Sequence, residues 1–264
     1  MESAATSSSS TIFDASFTGD IELIRNLLAS GTDVNSVDEE NNTALMYACY
    51  STLGDEALSF LIEKGADVNI ANKQGYTPLI QASENGNIDA VMLLLQSGAY
   101  VNAKEKNGYT SLMLSSERGH FTVVKYLVEH AADFNEADNN GNTVFMHAIM
   151  SGNMDVVSYI ASRSKDIHDA NSYGQDALLV AAESSNLRVV QHLLENLHFN
   201  VDKKNNFGKT ALMYVAEKGK IDIVIYLVEH GANTLLKDQS GMGALDYAKK
   251  AKHNAIMDYL VNRA

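Results

Sequence analysis

The sequence is poor in several residue types, and each shortage excludes a class of protein. Its 264 residues include one cysteine, one proline and no tryptophan. A single cysteine excludes an intramolecular disulfide framework and a zinc site built on several cysteines. It is typical of a reducing compartment, so we expect a cytoplasmic protein.

Basic residues are also scarce. Lys and Arg number 20 against 33 Asp and Glu, which gives a formal net charge of −13. This is the wrong sign for a protein that binds phosphate backbones or anionic lipid. No apolar run approaches the ~20 residues that cross a bilayer. We therefore expect neither a nucleic-acid partner nor a membrane partner.

The chain shows little sign of internal division. Residues 1–10 are rich in serine and alanine and lack the basic and apolar regions of a secretion signal, which predicts a short flexible tail. No charge run or Gly/Ser stretch interrupts residues 11–264, and 45% of the chain is apolar. We expect one domain over 11–264, long enough to bury a core.

A repeat of 33 to 34 residues dominates this domain. A short segment of the Thr-x-Leu-Met type recurs at spacings of 34, 33, 33, 33, 34 and 33 residues. The segments begin at Thr43, Thr77, Thr110, Thr143, Asp176, Thr210 and Gly243. A period of this length is the signature of a repeat protein whose units stack on one another.

The same order of elements recurs within each period. A turn containing a glycine such as Gly75 precedes a short helix, and a break at a residue such as Gly86 precedes a second helix. Apolar residues of the second helix fall on one face, as in Ile88, Val91 and Leu94. A glycine such as Gly98 then ends this helix in a left-handed conformation.

These segments resemble the ankyrin repeat, whose pattern runs D-x-x-G-x-T-P-L-H-x-A and ends in L-L-x-x-G-A-D-V-N. Gly65-Ala66-Asp67-Val68-Asn69 carries the G-A-D-V-N end of this pattern. The resemblance implies an all-α ankyrin-repeat α-solenoid of helix-turn-helix units joined by β-hairpin-like turns. The eight repeats are expected near residues 11–37, 38–71, 72–104, 105–137, 138–170, 171–204, 205–237 and 238–264.

The sequence departs from the family pattern in three places. The first and last units lack the full motif, so we expect both to be polar caps of a complete solenoid. The family's histidine position is almost wholly apolar, as at Met46, which predicts thioether packing and a softer solenoid. The fifth and sixth repeats carry Ser164 and Leu197 where glycines are expected. This indicates either drift in a tolerant fold, or a hinge or partner-specific ledge.

Residues that could support catalysis or metal binding are dispersed. The eight histidines are scattered along the chain without the spacing of a ligand pair, and Cys49 occupies a small-residue helix position. We predict no catalytic residues, no cofactor and no metal. Four asparagines at the tips after the second helices, three of them in a Val-Asn pair, resemble sites that asparaginyl hydroxylases modify in some ankyrin proteins, although the same asparagines have a structural role in the turn. They are Asn35, Asn69, Asn102 and Asn135.

The resemblance implies that partners bind in a concave groove lined by turn tips and first helices. Aromatic residues beside the turn glycines are candidate anchors, although these rings are equally compatible with packing on adjacent turns. The full predicted set of partner-binding residues is Tyr76, Tyr109, Tyr173, Phe207, Glu39, Glu40, Lys73, Lys106, Arg118, Asn139, Asn140 and Lys209.

Acidic residues are concentrated near the start of the chain. Residues 1–71 carry 12 acidic and 2 basic residues, a net charge of −10, whereas residues 72–264 carry a net charge of −3. Such asymmetry favours a partner with a basic segment. The alternative is that the acidic residues serve solubility alone.

The sequence thus predicts a non-enzymatic protein-interaction module, a scaffold or an inhibitory binder, that is monomeric when alone. The alternatives are an enzyme with a cryptic site, a host-directed effector of a pathogen or symbiont, and a structural spacer.

Overall fold

The computed structural model describes residues 11–51 and 55–263. The tail predicted at residues 1–10 lies outside this range. Contacts divide the chain into two compact units, Met1–Asp133 and Phe134–Ala264, so that each unit holds about four of the predicted repeats. That 11–264 form one domain stays a prediction.

The described residues form sixteen helices, two to each repeat. The odd-numbered helices are the first helices and the even-numbered ones the second helices. In chain order they are α1 Ile12–Thr18, α2 Ile21–Ala29, α3 Ala44–Tyr50, α4 Asp55–Glu63, α5 Pro78–Asn85, α6 Ile88–Gln96, α7 Ser111–Glu117, α8 Phe121–Glu129, α9 Val144–Ser151, α10 Met154–Ala161, α11 Ala177–Ser184, α12 Leu187–Glu195, α13 Ala211–Glu217, α14 Ile221–Glu229, α15 Ala244–Ala251 and α16 Asn254–Val261.

Most first helices begin at the recurring threonine. The Thr43, Thr77 and Thr110 hydroxyls each accept a hydrogen bond of 3.3 Å from the backbone N–H three residues on. Asp176, which replaces threonine in the sixth repeat, accepts the equivalent bond from Leu179 at 3.0 Å. A side-chain acceptor satisfies an N–H group that the helix itself cannot, and removing it costs about 1 kcal/mol.

The core of each unit lies between successive helix pairs. In the first unit α1, α3, α5 and α7 pack against one another in chain order, and in the second unit α9, α11, α13 and α15 do the same. The apolar residues at the family's histidine position are buried in these contacts, as predicted. They are Met46, Ile80, Met113, Met146, Leu179 and Met213. Full burial of such a side chain stabilises the fold by about 1.5–3 kcal/mol.

One polar side chain organises each hairpin-like turn. Asn72 Oδ1 accepts hydrogen bonds from the backbone N–H groups of Gln74 at 2.9 Å and Tyr76 at 3.0 Å. The same pair of bonds, to the N–H groups two and four residues on, recurs in every turn from the second repeat onward. The acceptors are Asp38, Asn72, Glu105, Asp138, Asn171, Asn205 and Asp238. Each closes the turn without a regular strand.

A hydrogen bond or ion pair joins turn and first helix in several repeats, although the family's histidine is absent. It uses the residue one place later in the helix. The Tyr47 hydroxyl donates to Asp38 Oδ2 at 2.8 Å, and the Tyr247 hydroxyl donates to Asp238 Oδ2 at 2.6 Å. Equivalent contacts join Asn205 to Tyr214 at 3.0 Å and His147 to Asp138 at 3.3 Å. The predicted softness of the solenoid stays a prediction.

Neighbouring repeats within each unit are also joined at both of their edges. In the turns, Lys73 N–H donates to the Glu40 carbonyl at 2.9 Å, and Ser172 N–H to the Asn140 carbonyl at 2.9 Å. Beyond the second helices, Asn69 Oδ1 accepts from the N–H of Tyr100 at 2.9 Å. Asn35 and Asn102 accept from the N–H groups of Asp67 and Asp133 in the same way. The Val-Asn tips of the first unit therefore have a structural role.

The sixth repeat adopts left-handed backbone conformations without glycine. Ser185 has φ 58° and His198 has φ 55°, whereas Gly86 and Gly98 take the equivalent positions in the third repeat. The assignment of this position to Leu197 was wrong by one residue, because the sixth repeat is one residue longer. A left-handed conformation costs a non-glycine residue about 1–2 kcal/mol. Drift and a hinge or ledge both stay open as explanations of this irregularity.

We predict that the Asp238→Asn variant loses less of its unfolding free energy than the wild type when the pH falls from 4 to 2. Burial alone would raise the pKa of Asp238, but hydrogen bonds from Tyr247, Ser240 and the backbone lower it to about 2. Because this value lies below the ordinary pKa of about 3.9, the ionised carboxylate stabilises the fold above about pH 4. That contribution is lost as the pH falls towards 2.

Asparagine occupies the same turn position at Asn72, Asn171 and Asn205, so the variant should fold normally at pH 7. Urea unfolding followed by circular dichroism between pH 2 and pH 7 measures the effect, with Asp222→Asn on an exposed helix position as control. Identical loss of stability in wild type and Asp238→Asn below pH 4 would refute the prediction.

Candidate functional site

The turns and the exposed sides of the first helices form one continuous face in each unit, which we call the turn-helix face. Eleven of the twelve residues predicted to bind a partner lie in the turns, among them Lys209, which immediately precedes the N-cap of α13. Arg118 follows α7.

The four aromatic candidates fall into two classes according to the side of the turn glycine they occupy. Tyr76 and Tyr109 follow their glycines and are half-buried. Tyr173 and Phe207 precede theirs and are 48% and 57% exposed. The glycine between these two positions is left-handed, with φ 87° at Gly75 and 74° at Gly174, so the backbone changes direction there. Position relative to the glycine therefore decides whether a ring faces solvent.

Tyr76 is held by an electrostatic network within the first unit. Its hydroxyl is hydrogen-bonded to Glu84, whose carboxylate also pairs with Arg118 at 2.7 Å. Burial, the negative charge of Glu84 and this hydrogen bond raise the pKa of Tyr76 to about 12. Tyr76 and Arg118 thus have structural partners inside the unit.

Most of the remaining predicted residues lie exposed in the turns. In the first unit these are Glu39, Glu40, Lys73 and Lys106, and Lys73 Nζ lies 3.6 Å from Glu40 Oε1. In the second unit Asn139 and Asn140 are exposed. Lys209 differs from them, because its side chain is only 17% exposed and its Nζ lies 2.7 Å from Glu217 Oε2.

A glutamate of the first helix closes on the turn in several repeats. The contact joins the residue before the helix N-cap to a glutamate eight positions later. Gln175 Nε2 donates to Glu183 at 2.7 Å, and Lys209 Nζ donates to Glu217 at 2.7 Å. The Tyr76–Glu84 pair follows the same spacing. We call this contact the closing pair.

A hollow opens in each unit where the closing glutamate is replaced. In the second repeat Tyr50 takes its place, and the N-terminal hollow there has a volume of about 230 Å³. It is lined by Phe17, Asn42, Met46, Tyr47, Tyr50 and Gln81. In the fifth repeat Met150 takes its place, and the C-terminal hollow there has a volume of about 280 Å³. It is lined by Asn142, Met150, Asn171, Tyr173, Gln175, Val180, Glu183 and Ser184.

Exposed aromatic residues and carboxylates surround the N-terminal hollow. Tyr50 is 61% exposed, and its ring stacks on that of Phe17 with centroids 6.1 Å apart. The Tyr47 hydroxyl is bonded to Asp38, and this bond, burial and the charges of Asp38 and Asp14 raise the pKa of Tyr47. Burial would raise the pKa of Asp38, but hydrogen bonds from Asn42 and Tyr47 lower it, so this carboxylate stays ionised.

Sequence reasoning missed the residues that open the two hollows. Aligning the first helices of the repeats would have found them. Phe17, Tyr50 and Met150 occupy the helix position that most other repeats fill with glutamate, at Glu84, Glu117, Glu183 and Glu217. The sequence prediction named residues beside the turn glycines and did not include this helix position.

Comparison with known proteins agrees with the repeat geometry. The sequence model of the family described as Ankyrin repeats (3 copies) matches residues 12–105, 101–171, 132–205 and 178–264. These matches cover most of the chain. The chain belongs to the ankyrin repeat family.

Individual relatives match over short stretches. A putative ankyrin repeat protein of Rickettsia felis is 36% identical over 71 residues, which are 27% of this chain and 19% of that protein. Ankyrin repeat and KH domain-containing protein mask-1 of Caenorhabditis elegans is 38% identical over 82 residues, 30% of this chain and 3% of that protein. Human ankyrin repeat domain-containing protein 40 is 36% identical over 80 residues, 30% of this chain and 21% of that protein. The matches thus span about a fifth or less of these relatives.

The ankyrin repeat family is generally a non-enzymatic module for protein–protein interaction. Within residues 11–51 and 55–263, no group of three or more His, Cys, Asp or Glu could hold a metal ion. Cys49 is buried, as predicted, and burial raises the pKa of its thiol. Over the same residues no helix is long and apolar enough to cross a membrane.

One fully buried ionisable pair of this ankyrin chain is also part of the repeat framework. His147 Nε2 lies 3.3 Å from Asp138 Oδ2, and neither side chain is exposed. The pair occupies the same two positions as Tyr47 and Asp38. Burial would raise the pKa of Asp138, but its bonds with His147 and Asn142 lower it. The geometry assigns this pair to fixing the turn of the fifth repeat.

We predict that Tyr76→Phe destabilises the ankyrin domain by about 1 kcal/mol, the usual contribution of one intramolecular hydrogen bond. The reason is that the half-buried Tyr76 hydroxyl loses its bond to Glu84. Tyr173→Phe, which removes a hydroxyl from an exposed ring, should leave the free energy of unfolding within about 0.5 kcal/mol of wild type. Urea unfolding at pH 7 measures both. Equal stability of the two variants would show that the Tyr76–Glu84 bond contributes nothing.

Proposed function

We propose that this ankyrin repeat chain is a non-enzymatic protein-binding module, a scaffold or an inhibitory binder, that holds partners on its turn-helix face. The observation that carries the proposal is the pair of hollows left where the closing glutamate is replaced by Tyr50 or Met150. In the seventh repeat the Lys209–Glu217 closing pair occupies the equivalent surface. Two repeats thus leave apolar surface open to another molecule.

Exposed aromatic rings strengthen this assignment. Tyr50 belongs to the N-terminal hollow, Tyr173 lines the C-terminal hollow, and Phe207 lies in a turn of the second unit. Large rings that combine apolar area with few rotatable bonds dominate the energetics of protein interfaces. The half-buried Tyr76 and Tyr109 remain part of the predicted set, but changing them would also perturb the turns.

The charge distribution favours a partner with a basic segment. Asp14, Asp38, Glu39 and Glu40 give the start of the described chain a negative potential, which accelerates encounter with a basic surface. A monomeric state and a cytoplasmic location, in keeping with the buried free thiol of Cys49, belong to the same proposal.

Affinity capture from the native lysate with quantitative mass spectrometry tests the proposal. One variant combines Phe17→Ala with Tyr50→Ala, and a second combines Tyr173→Ala with Phe207→Ala. Loss of an interface hot spot costs at least about 2 kcal/mol, so we expect at least one variant to lose captured partners about 30-fold.

The matched control is Tyr100→Ala, which removes an equally large ring that is 70% exposed in the loop after α6, away from the turn-helix face. Circular dichroism must show that all variants are folded. Partners retained equally by the wild type and both double variants would place binding elsewhere. Partners lost only with Tyr100→Ala would contradict the proposal directly.

A further inference from the structure

We propose that the N-terminal hollow binds the side chain of a lysine or arginine within an apolar segment of the partner protein. This inference rests on the proposed function and specifies the residue that the partner inserts. Two repeats of the chain differ at this place, because the seventh supplies its own cation and the second does not.

The seventh repeat shows what fills the equivalent place. Lys209 lies in the turn before α13, and its Nζ is 4.8 Å from the ring centroid of Tyr214 and 4.2 Å from that of Tyr247. The same ammonium group is bonded to Glu217 at 2.7 Å. A cation above two tyrosine rings and beside a carboxylate is a stable arrangement. The repeat therefore contains an internal ligand.

The second repeat has a similar frame but no cation. Tyr47 occupies the helix position of Tyr214, and its hydroxyl is bonded to Asp38 just as Tyr247 is bonded to Asp238. Asn42 occupies the position of Lys209 and is too short to reach across the hollow. Its amide instead donates to Asp38 Oδ2 at 2.9 Å, and its oxygen accepts from Asn72.

The hollow complements a long basic side chain in shape and polarity. Phe17, Met46 and the ring of Tyr50 offer apolar surface to the methylene stem. Tyr47 stands where Tyr214 stands beneath Lys209, whereas Gln81 takes the position of Tyr247. Tyr50, at the position of Glu217, adds a second aromatic ring to the lining, so that the charged end meets two π-systems here as well. Asp38 and Asp14 supply the negative charge that Glu217 supplies in the seventh repeat, since both act on the Tyr47 hydroxyl.

The basic residues of the first two repeats lie elsewhere. Residues 1–71 contain only Arg25 and Lys64. The Arg25 guanidinium lies 4.8 Å and the Lys64 ammonium 5.2 Å from the ring centroid of Phe60, on the second-helix side of these repeats. Residues 1–10 contain no lysine or arginine. The next basic residue along the chain, Lys73, lies 3.6 Å from Glu40. We therefore assign the cation to a partner protein, which is the source that the proposed function provides.

The test uses a library of random 12-residue peptides displayed on phage and selected against the full chain. We expect the enriched peptides to share a lysine or arginine flanked by apolar residues. The best peptide is then synthesised with its basic residue intact and with norleucine in its place, which keeps the stem and removes the charge. Fluorescence anisotropy gives the dissociation constants.

Two variants at one position separate the cation from other effects. Asn42→Lys introduces the residue found at Lys209 and should fill the hollow from within. Asn42→Met introduces the residue found at Met242, and it loses the same asparagine bonds without adding charge. We expect Asn42→Lys to weaken the intact peptide tenfold or more and Asn42→Met to weaken it at most threefold. Replacing the basic residue of the peptide with norleucine should weaken its affinity for the wild type about tenfold and leave its affinity for Asn42→Lys unchanged.

Several results would overturn the inference. They are enrichment of peptides without a basic residue, failure to select any peptide that depends on Tyr50, equal affinity of Asn42→Lys and Asn42→Met, and a concentration-dependent dimer that Phe17→Ala with Tyr50→Ala abolishes. If lysate partners are nevertheless lost with that double variant, the protein-binding function stands and only the cation is wrong. If they are retained by every variant, both proposals fail.

Discussion

Burial of one helix pair against the next is the interaction on which the rest of this structure depends. A single pair of short helices cannot cover both sides of its apolar surface, so each repeat is stable only with neighbours in its unit. The buried apolar residues at the family's histidine position supply much of this contact, as Met46, Ile80 and Met113 do in the first unit. The turn acceptors and the inter-repeat asparagines then fix the register of each neighbour. The exposed faces of the first helices are left free to vary.

Much of the fold could be predicted from the sequence because the period sets it. Thr43 and its equivalents predicted the helix starts, and the apolar residue three places later predicted the core. Burial of Cys49 followed from its small-residue position. These features are dictated locally and repeated many times, so the phase of one repeat constrains all the others.

The candidate site was less accessible to sequence reasoning, for physical reasons. Whether Tyr76 or Tyr173 faces solvent depends on the direction of a single side chain at a turn, and both carry the same composition signal. The hollow beside Tyr50 forms because Tyr50 does not make the closing pair that Glu84, Glu183 and Glu217 make with the residue eight positions earlier. The sequence reveals this difference only when the repeats are aligned with one another. The bond from Tyr47 to Asp38 was missed because the family's histidine position drew attention to Met46 instead.

The buried thiol of the second repeat gives this chain a chemical readout of its own motions. Cys49 is the chain's only cysteine and lies on α3, the helix that also carries Tyr47 and Tyr50. A thiol-specific reagent can reach it only when α3 separates from its neighbours, because the side chain is buried. The rate of its alkylation therefore reports local opening of the N-terminal repeats without any introduced label. A molecule seated in the N-terminal hollow would slow that rate by holding α1 and α3 together.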